Sequence, residues 1–254
     1  MKKNFFFLTL INDLKQLRKF PKAVKRDGIS LVLRAIKRTY YYRVFNKFAG
    51  IKTEINSEKY WNVRLRCNWD QSGGDVQTRQ FAVGLLAHVN LKELEGVHSV
   101  LDFGCATGES CPILRTVFPK SKIYVHDVAV KGMEKAIRKY GKILSIESWN
   151  LKQKVDLVYS SNVIEHLANT KLYLDQVINA SNKYIIIQCP WEEYHANGES
   201  ITPDNSQSEH VWTIDDAFLS KFFNHTDISW VKVIGEVPIA WDGGKQLFLI
   251  GKKN

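Results

Sequence analysis

No apolar run in these 254 residues approaches the ~20 needed to cross a bilayer, so a membrane-spanning helix is not expected. Cysteine is scarce. Cys67, Cys105, Cys111 and Cys189 form no C-x-x-C pair and have no histidine at zinc spacing. That argues against a zinc ribbon or a disulfide framework and predicts buried free thiols in a reducing compartment. No internal repeat, low-complexity tract or long linker is present, which argues against a solenoid. The first residues imitate a secretory leader, with two lysines before Phe5-Phe6-Phe7-Leu8. The run is short, however, Asp13 follows it, and no small-x-small cleavage site appears. A retained, cytoplasmic chain is expected.

Acidic residues are scarce in one region only. Residues 1–56 carry 14 lysines and arginines against three acids, whereas the remainder has 22 basic and 23 acidic residues. The net charge of +10 therefore belongs to an N-terminal arm. Two helices are expected in it, over 4–20 and 30–48. The second sets Val32, Leu33, Ile36, Tyr40, Val44 and Phe48 on one stripe, with Arg34, Lys37, Arg38, Arg43 and Lys47 largely off it. Such a helix suits packing on the main domain, or peripheral contact with an anionic membrane or lipid-linked glycan. Nucleic acid is the less favoured partner.

What is present from Val97 onward is alternation. Strands are expected at Ser99–Phe103, Lys122–His126, Lys142–Ile146, Val155–Ser160 and Tyr184–Gln188. Helical patterns lie at Pro112–Val117, Lys131–Tyr140 and Thr170–Ala180. This order predicts an α/β, Rossmann-like, doubly wound and mostly parallel sheet. A late helix at Asp215–Phe223 and closing strands at Ile228–Ile234 and Gln246–Ile250 add an antiparallel C-terminal edge. Upstream, Ser57–Gln80 reads as an ordered loop between helical stretches and Phe81–Asn90 as a helix, together a cap over 57–96. The domain reading is a basic extension at 1–56 and a main domain at 57–254, with its core at 97–254.

The chain is organised around Val100-Leu101-Asp102-Phe103-Gly104-Cys105-Ala106-Thr107-Gly108-Glu109-Ser110. A strand that opens through small residues into a helix can hold a nucleotide-like ligand. The dinucleotide fingerprint G-x-G-x-x-G is not met, because Ala106 and Glu109 stand at its second and third glycines. The residues fit D-x-G-x-(G/A)-x-G instead. Further on come Asp127, 25 residues after Asp102, then Glu147-Ser148-Trp149. Val155 to Leu167 follows, containing Asn162-Val163-Ile164-Glu165-His166, and last His210-Val211-Trp212-Thr213-Ile214-Asp215. Together these resemble the class I S-adenosylmethionine-dependent methyltransferases, those with small-molecule acceptors in particular, over about residues 57–254.

The resemblance implies an S-adenosylmethionine site built from Asp102, Gly104, Ala106, Gly108, Asp127, Trp149 and Asn162, with Asp127 at the ribose hydroxyls and Trp149 at the adenine. An alanine at 106 is tolerated if its φ is negative. Arg64 or Arg79 is a candidate for the donor's carboxylate. His166 and His210 are the candidate general bases for an oxygen acceptor, with His195 behind them. No metal is expected, since the fourth strand ends in Ser160-Ser161-Asn162 rather than in an acid. The segment Cys189 to His195 and the Trp241-Asp242-Gly243-Gly244 loop would line the acceptor pocket. The expected activity is O-methylation of a small molecule, a sugar of a glycan or nucleotide-linked precursor being favoured. The alternatives are N- or C-methylation, RNA methylation, or a non-catalytic donor-binding partner protein.

Overall fold

In the computed structural model, the described residues are 54–67, 69–70, 73–150, 152–206, 209–237 and 244–254. They lie in one compact unit, Ile51–Asn254. The expected arm helices and Trp241–Gly243 fall outside them. Among the described residues, no helix is long and apolar enough to cross a membrane.

Helices α1 (Glu58–Cys67) and α2 (Gly74–His88) precede the sheet. The sheet region runs β1 (Ser99–Phe103), α3 (Cys111–Val117), β2 (Lys122–His126), α4 (Val130–Leu144), β3 (Ile146–Ser148), β4 (Val155–Ser161), α5 (Thr170–Ala180), β5 (Ser181–Pro190), α6 (Asp216–Phe222), β6 (Ile228–Glu236) and β7 (Lys245–Lys253). The strand order is β3-β2-β1-β4-β5-β7-β6. Pairing is parallel from β3 through β5, and β7 runs antiparallel to both β5 and β6. The closing pair lies at the expected edge, with the final strand inserted one position in from the margin.

Alternate residues of the central strands feed two cores. Leu101, Val158, Ile185, Ile187, Leu247 and Leu249 pack with Tyr173, Leu174 and Val177 of α5 and Phe218 of α6. Val100, Val125, Leu157, Tyr159, Ile186 and Phe248 pack with Phe81 and Leu85 of α2, Leu114 of α3 and Ala136 of α4. Burial of both faces is why these strands read as nearly continuous apolar runs. Asn169 caps α5 by accepting from the Leu172 N–H at 3.1 Å, and Asp215 caps α6 by accepting from the Phe218 N–H at 2.9 Å.

Two expectations need correction. Lys142–Leu144 is the end of α4, and the third strand begins only at Ile146. Met133, Ile137 and Leu144 continue one helical face against the second core, and that packing carries the helix through a β-prone stretch. Of residues 57–80, expected as a loop, 58–67 are a helix anchored by buried Tyr60 and Leu65, and α2 already begins at Gly74.

Candidate active site

Strand order reverses between β1 and β4, since β2 and β3 lie on one side of β1 and the later strands on the other. Open α/β sheets hold ligands at the carboxyl ends of the strands beside such a switch. The loop after β1 and the turn after β4 meet there. A Cβ placed on Gly104 would stand 2.3 Å from Val163 Cγ2.

The β1 loop is held in left-handed conformations, with φ of +85° at Gly104, +48° at Ala106 and +80° at Gly108. The condition of a negative φ at Ala106 is thus not met. An L-residue in this region carries a steric cost on the order of 1–2 kcal/mol. Two contacts hold the loop in place. The Asp127 carboxylate accepts from the Ala106 N–H and from the Ala129 N–H, each at 2.7 Å. On the other side a Cβ on Gly132 of α4 would lie 2.7 Å from the Ala106 carbonyl oxygen. The space beside Gly108 is filled by Ala136, 2.6 Å from where a Cβ would be. Gly104 and Gly108 thus serve the loop's own packing as much as ligand approach.

Asp102 is 2% exposed, and its carboxylate accepts from the Ser110 hydroxyl and, at 3.9 Å, from the Cys111 thiol. It ties the strand to the start of α3 from beneath the loop, so any effect on a ligand is exerted through the loop. Burial pushes its pKa up to about 7 despite the Ser110 hydrogen bond. Burial likewise raises Asp127 to about 6, against the two backbone hydrogen bonds. Asp127 is only partly buried at the end of β2, and its oxygens keep lone pairs for further donors. Trp149, just past β3, is half-buried and edge-on to His126 with ring centroids 5.5 Å apart. Its indole N–H donates to the Gln153 carbonyl at 2.8 Å. Asn162 follows β4 at a φ of +54°, with its N–H on the Gln188 carbonyl.

The two candidate arginines are engaged within the protein. Arg79 pairs with Glu109 at 3.1 Å, and Arg64 is taken up by the Glu209 carboxylate and by the Tyr60 hydroxyl at 3.0 Å. His195 lies in a surface turn, 3.2 Å from Asn205 Oδ1.

His166 and His210 come together, their rings 4.8 Å apart. The turn Ile164–His166 is laced to the 209–212 segment. The Val211 N–H donates to the Glu165 carbonyl at 2.7 Å and the Trp212 indole to the Leu167 carbonyl at 3.0 Å. His166 Nδ1 lies 2.9 Å from the Glu209 carbonyl, and His210 Nδ1 lies 2.6 Å from Glu193 Oε2. Each contact places a proton on Nδ1, and in a neutral ring the lone pair is then on Nε2. Burial, with the charges of His210 and Arg64, holds His166 well below the usual imidazole range. For His210 burial is outweighed by Glu193 and Glu165, which raise it. Trp61 of α1 packs edge-on to His166 at 5.1 Å.

Sequence reasoning passed over Glu165 and Glu209 as working residues and had Glu193 only as part of the pocket-lining segment. The Glu-His dipeptide at the end of β4 was visible, but the partner loops that complete the group are remote in the chain.

A family model described as a methyltransferase domain matches residues 76–231. The chain belongs to this family. Its chemistry is accordingly methyl transfer from S-adenosylmethionine. Among solved structures, this methyltransferase resembles magnesium protoporphyrin IX methyltransferase from Synechocystis PCC 6803 with bound SAH. Identity is 14% over 89% of this chain and 100% of that one, with a TM-score of 0.51. An O-methyltransferase family protein from Burkholderia thailandensis gives 12% identity over 87% and 71%, with a TM-score of 0.57. At such identities the likeness is one of fold. No curated protein matches the chain in sequence.

Proposed function

We propose that this methyltransferase acts on a hydroxyl oxygen of a small-molecule acceptor, a sugar being the favoured class. The supporting observation is the pair of imidazoles at the turn after β4, a turn that meets the β1 loop at Val163 and Gly104, with Nε2 of His166 unprotonated near neutral pH. The fit of the donor rests on the half-open Asp127 carboxylate, which can accept from a ribose diol, and on Trp149, which offers an apolar face to adenine. Gly104, Ala106, Gly108 and Asn162 shape the backbone between them, Asp102 fixes that backbone from below, and Arg64 stands on the acceptor side with Trp61. When bound, S-adenosylmethionine supplies an electrophilic methyl group on a sulfonium. The protein's part is to align the acceptor oxygen and exclude water. An imidazole Nε2 would receive the proton that the acceptor hydroxyl gives up on methylation, and the donor would leave as a neutral thioether.

The sugar reading rests on half-buried Trp61, exposed Tyr194 and the acids Glu192 and Glu193 around the same edge. The basic arm would suit an anionic or lipid-linked form of such an acceptor. Calorimetry with S-adenosylhomocysteine tests the donor site. Micromolar binding is expected, weakened at least about 100-fold by Asp127→Ala, which removes both the diol acceptor and the clamp on Ala106. No heat at saturating ligand would overturn the site assignment. A panel of sugar, amine and RNA acceptors then separates O-methylation from its rivals.

A further inference from the structure

We propose that Glu165, His166 and His210 form a site for a divalent transition-metal ion of the zinc type. The proposal rests on the acceptor-side reading above for its use, but its evidence is separate. One donor atom from each residue lies within 4.8 Å of the others. Glu165 is 1% exposed, and neither carboxylate oxygen has a hydrogen-bond partner. Its Oε1 faces His166 Nε2 at 4.0 Å. A buried carboxylate left without hydrogen-bond donors costs several kcal/mol unless a cation or a proton meets it; in the metal-free chain the charge of His210 offsets that cost in part, and a bound metal ion would offset it directly.

The surroundings complete the pattern. Metal-bound histidines hand their other N–H to a carbonyl or carboxylate, which fixes the ring and its tautomer. His166 does so to the Glu209 carbonyl and His210 to the Glu193 carboxylate. In each ring Nε2 is then the nitrogen that would ligate. Two imidazoles and a carboxylate suit zinc, manganese or ferrous iron better than magnesium or calcium, which take oxygen ligands. The opposing cation, Arg64, is already paired with Glu209. Tetrahedral coordination at 2.0–2.1 Å requires donor atoms about 3.3 Å apart, so the three groups must draw inward on binding. Three protein ligands would leave a position open for an acceptor oxygen; its proton would leave to solvent in the metal-loaded protein, the histidine route above being that of the metal-free protein.

The untagged full-length chain, stripped with chelator, is titrated with ZnCl2 by calorimetry, and its metal content is measured after gel filtration. One ion per chain with micromolar or tighter affinity is expected, at least tenfold weaker in Glu165→Gln and in His210→Gln. Glu193→Gln should weaken it about tenfold through the His210 orientation. Circular dichroism establishes that each variant is folded. Should a histidine variant unfold, Co2+ absorption of Glu165→Gln against the parent chain supplies the same comparison. No stoichiometric Zn2+ or Mn2+ at 1 mM, or affinity indifferent to all three substitutions, overturns the site. S-adenosylhomocysteine is titrated in parallel. Donor binding without metal binding sinks this inference alone, and metal binding without donor binding sinks the donor-site assignment and leaves the metal site standing.

Discussion

Two glutamates, each 1% exposed, follow adjacent parallel strands and meet opposite fates. Glu109, beyond β1, is opposed by burial but receives hydrogen bonds from Lys139 at 2.7 Å, Tyr140 at 2.5 Å and Arg79 at 3.1 Å. These hold its pKa below the usual carboxylate value. Glu165, beyond β4, receives no hydrogen bond, and burial pushes it up to about 7 against the pull of His210. The first is a fastener, since its three partners tie α2 and α4 to the end of the β1 loop. The second is a vacancy in the hydrogen-bond network, placed where chemistry is expected. Burial alone does not distinguish structure from function; the partners do.

Asp102 lies between these extremes, with one hydroxyl and one thiol as donors and a pKa of about 7 against an ordinary 3.8. The folded chain therefore keeps a proton that the unfolded chain loses between about pH 4 and pH 7, so this group's contribution falls as pH rises through that window. Asp102→Asn removes the ionisation. Urea denaturation should find the variant equal to the parent or less stable at pH 4, and relatively more stable by on the order of 3 kcal/mol at pH 8. A difference independent of pH would mean that Asp102 is ionised in the fold at neutral pH, and its likeness to Glu165 would fail.

The same substitution at the two glutamates should then act in opposite directions. Glu109→Gln leaves Arg79 and Lys139 without their carboxylate. Because those cations are 49% and 45% exposed, the loss should be moderate, about 2 kcal/mol. Glu165→Gln in the metal-free chain removes a buried carboxylate that accepts no hydrogen bond and is met only by the charge of His210, and stability should hold or rise by up to about 1 kcal/mol. Equal losses at both positions would erase the contrast.

Much of this was legible in the sequence where local and tertiary preferences agree. The apolar runs of β1 and β2 have one reading each. The end of α4 was not legible, because Lys142–Ile146 is equally good as strand and only packing of Leu144 against the second core decides it. α1 was hidden because its aromatic and cationic side chains face partners, Glu209 and His166, that are remote in the chain. The donor loop showed its glycines plainly. The clamp of Asp127 on Ala106 and the assembly of Glu165 with His210 depend on contacts that no spacing rule encodes.

The smallest effect is expected at Ala106, and it tests whether the donor loop is strained as well as fastened. At a φ of +48° alanine carries a steric cost on the order of 1–2 kcal/mol. Glycine would relieve it but gains unfolded-state freedom worth roughly 0.5–1 kcal/mol. Ala106→Gly should therefore stabilise by about 0.5 kcal/mol, with donor affinity changed less than about threefold. The Asp127–Ala106 N–H bond at 2.7 Å persists whichever side chain is present. A loss of 1 kcal/mol or more would mean that the alanine methyl is packed productively and that φ at this position carries little penalty. The loop would then be fastened without strain, and the difference from the β4 turn would reduce to hydrogen-bond partners alone.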